Sequence, residues 1–310
     1  MVAYITPAPA AKSETIENRK GTPDESQPRM RKKSDHAATP DSGTTKAQEA
    51  DFTASPFYAA LTRALAGRGA RPEELCDAND AVERRLLAEY GAMFVADERV
   101  RVPPRCVFRS EEECARFQAE VEPREALIAD ARIELQPAAL DALLAARREA
   151  HAHGLEITPR GGAEAARRSY ADTLRLWESR VTPALAYWVA RESLAPDEAE
   201  RLGALCCAEQ IAAVLKEEER GNFFSKDFSR TILSSVAAPG ASQHLSMLAF
   251  DATEFRDERV REILARHGWF QTVLHDLPHF TFLGVREKEL RGLGLKRVVE
   301  RGQDFWIPNI

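Results

Sequence analysis

Leu, Phe, Trp and Cys are all missing from residues 1–50. A segment so poor in large apolar side chains cannot bury enough surface to offset the entropy lost on ordering it. Rich instead in Pro, Ser, Thr, Lys and Glu, residues 1–50 are expected to form a disordered tail. The opening MVAYITPAPAAK lacks both a basic n-region and an apolar h-region, so no secretory signal is expected there. No run of about 18 apolar residues occurs, which excludes an ordinary transmembrane helix. A basic excess is also lacking: the net charge is −6 and the isoelectric point about 5.8. A nucleic-acid partner is therefore not expected, because it would favour a cationic face. The short basic run from Arg29 to Lys33 reads as part of the solvated tail. None of the five cysteines stands in a CxxC pair, which argues against a zinc knuckle or a redox motif. Cys206 and Cys207 fall in a helical pattern and read as small core residues, while Cys106 and Cys114 are a conceivable disulfide pair.

With 310 residues, 44% of them hydrophobic, the chain can bury a sizeable core in one large domain or two smaller ones. Phe57, Leu61 and Leu65 recur at helical spacing up to Gly67. Val82, Leu86 and Tyr90 mark a second helix, and the Ser110–Glu113 capping-box pattern opens a third through Cys114 and Phe117. Val100–Val102 reads as a short strand. Residues 51–125 are thus expected to be a mostly helical N-terminal section, with a larger domain over 126–310. In that domain Ile133 and Leu135 suggest a strand end, and Leu140, Leu143 and Leu144 a helix stopped near Gly154. His151 and His153, in its last turn, read as ordinary cations at a helix C-terminus. Leu155–Thr158 reads as a strand, followed by the loop Pro159–Gly162. A helix along Ala166, Tyr170, Leu174, Trp177 and Val181 comes next, then one long helix over 197–217. Thr231–Val236 has strand character. Val260, Ile263 and Leu264 give another helix, stopped at Gly268, and Phe280–Leu283 reads as a buried strand. Trp306 is expected to pack the tail down. Short strands with segregated helices predict an α+β fold in which helices surround a small antiparallel sheet.

The chemistry concentrates between Pro239 and Gly284, where His244, Asp251 and His279 are joined by a further carboxylate, Asp276. Two imidazoles and one carboxylate suit a catalytic zinc that keeps a position open, with a second acidic group beside the last ligand as a base. His244 and Asp251 are seven residues apart, which fits one face of a helix, or a strand interrupted by a turn or bulge. Pro278 biases Leu277 towards extended backbone, so Asp276–His279 reads as a loop entering a strand.

The run from Ser242 to Asp251, SQHLSMLAFD, resembles the SxHxxGxAxD motif of the D-alanyl-D-alanine carboxypeptidase (VanY-type) zinc peptidases. Asp276-Leu277-Pro278-His279-Phe280 is similar to the family's second motif, an acidic residue three before a His. The superfamily also holds D-Ala-D-Ala dipeptidases, L-alanyl-D-glutamate endolysins and the hedgehog zinc domain. The likeness spans roughly 130–285 and is strong over 239–284. It implies that His244, Asp251 and His279 bind Zn²⁺, that Asp276 is the general base, and that Ser242 contacts substrate. Arg160, on a Gly-flanked loop, matches the family's upstream arginine more loosely; it would read a substrate carboxylate or carbonyl. Two positions depart from the pattern. Met247 stands where the family has Gly, and Asp276 where the carboxypeptidases carry Glu, although the endolysins use Asp. The resemblance implies hydrolysis of peptidoglycan stem peptides, most readily as a D,D-carboxypeptidase. An L-alanyl-D-glutamate-type endopeptidase and a catalytically silent zinc-binding module are the alternatives. Such a substrate is extracytoplasmic and the chain shows no export signal, so localisation is left open.

Overall fold

Ser55 and Pro56 start the first helix: the Tyr58 N–H donates to Ser55 Oγ, and proline takes the first helical position. The computed structural model describes residues 52–310, so the expected disordered tail and its basic run lie outside the described residues. Helix α1 (Pro56–Gly67) buries Phe57, Leu61 and Leu65. It is followed by α2 (Pro72–Leu75), α3 (Ala81–Tyr90) and α4 (Glu111–Glu120). Ser110 caps α4 by accepting from the Glu113 N–H, but the Glu113 carboxylate reaches back to Arg109 N–H, one residue beyond a capping box. Strands β1 (Arg124–Ile128) and β2 (Ala131–Leu135) form a hairpin ahead of α5 (Pro137–Ala152). Helices α6 (Tyr170–Ala190), α7 (Pro196–Ala204) and α8 (Cys207–Glu219) come next. The three-stranded sheet consists of β3 (Ala249–Asp251), β4 (Trp269–Phe270) and β5 (His279–Phe282), with α9 (Glu258–Arg266) between the first two in sequence. Its order is β3-β5-β4, antiparallel throughout. A last hairpin, β6 (Leu295–Glu300) with β7 (Gln303–Pro308), closes the chain and buries Trp306. The fold is α+β, with small antiparallel sheets among helices.

The main core joins both ends of the described chain. Phe57, Leu61 and Leu65 pack in the same cluster as Leu140, Leu143, Phe250, Trp269, Phe280 and Leu295. The boundary expected at 125/126 falls inside β1, and side chains from both sides of it share this core. A second cluster, around Trp177, Val181, Ile211, Val214 and Phe224, packs α6 and α8 together. Among the described residues no helix is long and apolar enough to cross a membrane.

Several expected elements differ. Val100–Val102 is not a strand, because the side-chain amide of Gln136 takes both backbone groups of Arg101. It accepts from the Arg101 N–H at 2.9 Å and donates to the Arg101 carbonyl at 2.7 Å. Leu155–Thr158 is not a strand: Arg147 donates to the Ile157 carbonyl and the Glu254 carboxylate accepts from the Thr158 N–H, so pairing is confined to its end, where Pro159 bridges Ala252 and the Thr158 carbonyl accepts from the Thr253 N–H. The span 197–217 is two helices, broken at Leu205 and Cys206, which both take extended backbone angles. Gln210 ties the break down by donating to the Leu202 carbonyl and accepting from the Trp177 indole. Cys206, the residue that precedes α8, is exposed and Cys207 is partly exposed, so neither is a core residue. Residues 231–236 hold a 3-10 turn, Ile232–Ser234, because the buried Glu218 carboxylate accepts from both Thr231 Oγ1 and the Ile232 N–H. Cys106 does not pair with Cys114: its sulfur lies 2.7 Å from that of Cys76, while Cys114 packs in a separate cluster with Phe108 and Phe117.

Candidate metal centre

His244 sits on a 3-10 turn, Gln243–Ser246, that follows a tight loop. Gly240 makes that loop possible. Its φ is +81°, and a Cβ there would meet the Phe108 carbonyl oxygen at 2.1 Å, so no other residue fits without moving the backbone. Met247 then takes a left-handed conformation, φ 55° and ψ 34°, which turns the chain from the 3-10 turn into β3. Met247, at the position where the resembled motif carries Gly, thus occupies the backbone region that favours glycine. This turn resolves the seven-residue spacing: neither a continuous helix nor a straight strand joins His244 to Asp251. Asp251 closes β3 and His279 opens β5, and the two face each other directly across the antiparallel pair.

The three side chains converge. His279 Nδ1 lies 3.2 Å from both His244 Nε2 and Asp251 Oδ1, and His244 Nε2 lies 3.4 Å from Asp251 Oδ1. Ligands about 2.1 Å from a tetrahedral ion sit about 3.4 Å apart. The far side of each ligand is fixed by a partner. His244 Nδ1 lies 2.9 Å from the Ala166 carbonyl, which can only accept, so the imidazole carries its proton there. The Gln243 amide donates to the Tyr90 carbonyl at 2.8 Å, which turns its Oε1 towards His279 Nε2, also at 2.8 Å. That oxygen can only accept, so His279 is protonated at Nε2 and bare at Nδ1. Arg168 holds the other carboxylate oxygen of Asp251 at 2.8 Å. Two nitrogen lone pairs and one carboxylate oxygen thus meet with no proton assigned between them, an arrangement a cation stabilises.

The charge states agree. Burial, followed by the charge of Arg168, pushes His244 down to about 4, so it is neutral near pH 7. For Asp251, burial works to raise the pKa, but His244 and then His279 outweigh it and hold the carboxyl well below the usual range. The group can hold a metal ion. Among the described residues one other set is close enough to do so, Cys76, Glu83 and Cys106.

A cavity of about 220 Å³ opens beside the cluster, lined by His244, Asp251, His279, Ser242, Asp276, Arg168 and Arg180. Ser242 is buried in its wall. Burial pushes Asp276 up to about 6, and the neighbouring Asp251 raises it further while His279, Arg168 and Arg160 pull it down. Its backbone carbonyl accepts from the His279 N–H, which sets the turn that leads into β5. Arg160 is not among the cavity-lining residues. Its side chain is exposed, with the guanidinium 5.6 Å from the centre of the Phe255 ring, and its N–H donates to the Asp251 carbonyl at 2.8 Å. Arg168 and Arg180 line the cavity instead. His275 turns away to pair with Glu300 at 2.6 Å, and His151 pairs with Glu156 at 2.8 Å.

Three contributors were not assigned roles from sequence. Arg168 stands in an Arg-Arg pair that reads as helix surface. Gln243 is uncharged, although it adjoins His244. Arg180 stands between the apolar positions Trp177 and Val181 of α6 and is not one of the stripe residues. The chain matches no family model, no curated protein and no solved structure.

Proposed function

We propose that this chain is a zinc-dependent peptidase of the D-alanyl-D-alanine carboxypeptidase (VanY-type) kind, acting on peptidoglycan stem peptides. The observation that carries the reading is the triangle of His244, Asp251 and His279 with edges of 3.2–3.4 Å, bordered by the carboxyl of Asp276. Nitrogen and oxygen donors at tetrahedral spacing, with a cavity on one side, fit zinc in an open site. A zinc ion held there supplies Lewis acidity to a peptide carbonyl and to water. Asp276 accepts the proton of the attacking water and returns it to the departing amine. Its raised pKa suits it to both steps near neutral pH. Gln243 and the Ala166 carbonyl hold the two imidazoles in the tautomers that leave their site-facing nitrogens bare. Arg168 keeps one oxygen of Asp251 occupied and places positive charge near the oxygen that becomes negative as the carbonyl is attacked.

Arg180 takes the carboxylate-reading role expected of Arg160. Its Nε donates to Ser235 Oγ at 2.8 Å and one Nη to Ser179 Oγ at 2.8 Å, which fixes the guanidinium in the cavity wall. A carboxylate reader favours removal of a C-terminal residue. Asp276 itself, as in the endolysins, favours the second reading, cleavage of an L-alanyl-D-glutamate bond.

The test is product analysis on defined muropeptides ending in D-Ala-D-Ala. Wild-type protein is expected to release D-Ala. The Asp276→Ala variant should retain its metal and lose about 10²–10⁴-fold in turnover, the usual size of a general-base contribution. Cleavage between L-Ala and D-Glu selects the endopeptidase. A zinc-loaded wild type inert on every muropeptide selects the silent zinc-binding module.

A further inference from the structure

Away from the metal centre, Cys76 and Cys106 come together between α2 and the segment that leads to α4. Both are nine-tenths buried or more. Their sulfurs are 2.7 Å apart, although thirty positions separate them in sequence. The approach is held by backbone: the Cys106 N–H donates to the Leu75 carbonyl at 2.8 Å, so the two segments cannot drift apart without losing that bond. Cys76 Sγ also donates to the Glu83 carbonyl oxygen at 3.4 Å, and the Glu83 carboxylate lies 3.6 Å from Cys106 Sγ. A cavity of about 260 Å³ reaches this cluster, lined by both cysteines with Glu83, Arg105 and Arg109.

Two chemistries compete for such a pair. A metal bound by both thiolates at about 2.3 Å in tetrahedral geometry would hold the sulfurs about 3.8 Å apart, whereas a covalent bond brings them to about 2.05 Å. The observed 2.7 Å lies on the covalent side. The cavity wall carries Glu73, Glu74, Asp77 and Glu83 as well as Arg105 and Arg109, so the sulfur spacing and not the wall's charge separates the two chemistries. We propose that Cys76 and Cys106 are a disulfide-forming pair that oxidation converts into a covalent staple between α2 and the α4 approach.

The oxidant is a small disulfide, such as oxidised glutathione, or a protein disulfide, and the cavity is its route to the buried sulfurs. The Cys106 thiol gives its proton to Glu83 and attacks one sulfur of the oxidant, releasing one thiolate and leaving a mixed disulfide. The Cys76 thiol then gives its proton to the first released thiolate as it attacks Cys106 Sγ, and the second thiolate, expelled by that attack, takes the proton held on Glu83. The two protein thiols lose two electrons and two protons, and the oxidant leaves as two thiols. Hydrogen bonding between the two thiols and then burial push the Cys76 thiol up. A thiol that resists ionisation is a poor leaving group, so the bond, once formed, is slow to be reduced. Closing a loop of this length removes much of the freedom of the unfolded chain.

The experiment equilibrates the full chain with reduced and oxidised glutathione over a range of ratios. Cysteines are then alkylated and peptides mapped without reduction. The expected result is a cross-linked peptide pair joining residues 76 and 106, with Cys114, Cys206 and Cys207 still alkylated. Oxidised protein should melt higher than reduced protein by on the order of 5 °C or more. In Cys76→Ala and Cys106→Ala variants the cross-link should vanish, and with it the difference between oxidised and reduced melting. If both cysteines alkylate fully at the most oxidising ratio, or if either links to another cysteine instead, the proposal is overturned. It is equally overturned if the reduced wild type takes up a second equivalent of zinc that Cys76→Ala loses, because the pair is then a metal site.

Discussion

Replacing Gln243 by Leu removes the one acceptor that anchors His279 while leaving every metal-facing atom in place. In the wild type the Gln243 Oε1 receives His279 Nε2 and Thr281 Oγ1, and its amide nitrogen donates to the Tyr90 carbonyl, all in a buried setting. Leucine fits the volume but satisfies none of these groups. Thr281 Oγ1 still has Thr272 Oγ1 at 2.6 Å, so two groups are left without partners, His279 Nε2 and the Tyr90 carbonyl. At about 1–3 kcal/mol each, the metal-free protein should lose about 2–6 kcal/mol of stability. Without its anchor the imidazole can also rotate or take the other tautomer, which places the proton on Nδ1. Outer partners of this kind are worth about 10–100-fold in metal affinity, or about 1.4–2.7 kcal/mol. Zinc competition against a chromophoric chelator measures the affinity, on samples whose circular dichroism shows them folded. Gln243→Glu keeps an acceptor for His279 and loses only the donation to Tyr90, so its zinc affinity should stay well above that of Gln243→Leu. A Gln243→Leu protein that is folded and binds zinc as tightly as wild type refutes the assigned tautomer.

The same site yields further expectations. With metal removed by chelator, His244, depressed to about 4 from an ordinary 6.5, contributes stability that is lost as pH falls through that window, about 3 kcal/mol in all. Asp276, raised to about 6 from an ordinary 3.8, contributes the opposite trend, stability lost as pH rises through about 6 and of similar size. The two offset each other between about pH 4 and 6, so metal-free wild type should melt at nearly constant temperature there. Asp276→Asn should melt lower as the solution is acidified; a flat profile in that variant, measured by scanning calorimetry, would show that His244 is not depressed. Met247→Gly relieves a left-handed backbone strain of about 1–2 kcal/mol but gives up a fully buried side chain worth about 1.5–3 kcal/mol. The net change in chemical denaturation should be a loss of no more than about 2 kcal/mol, and a loss well above that would mean that the left-handed turn is not strained. Arg160→Lys should leave turnover near wild type, whereas Arg180→Lys should raise KM for substrates with a free C-terminal carboxylate; the reverse result returns the substrate role to Arg160.

The candidate metal triangle was legible because the residue types able to hold a metal are restricted, and two His, an Asp and a further carboxylate concentrate between Pro239 and Gly284. The helices were legible where apolar residues keep their period, as in Phe57, Leu61 and Leu65. The same signal misled over 197–217, because the apolar period continues from Leu202 to Ile211 across a break that only the backbone at Leu205 and Cys206 reveals. Strand β1 was invisible because most of its residues are exposed, so no apolar alternation marks it. Val100–Val102 alternates like a strand, yet its pairing partner is the side chain of Gln136, 35 residues from Arg101 in sequence and brought beside it only by the fold. Arg168, Gln243 and Arg180 work through polar contacts set by tertiary approach, and local sequence does not encode which arginine points inward. The Cys76–Cys106 contact has the same origin, since residue spacing gives no hint of it.

Metal content per chain is the most direct test of the centre. Wild-type protein, stripped with chelator, reconstituted with zinc and freed of excess, should hold about one tightly bound zinc at His244, Asp251 and His279. His244→Ala and His279→Ala should lose that zinc, whereas Asp276→Ala should keep it. Wild-type protein that retains no zinc, or zinc retained undiminished by both histidine variants, would contradict the assignment of these residues as a metal site.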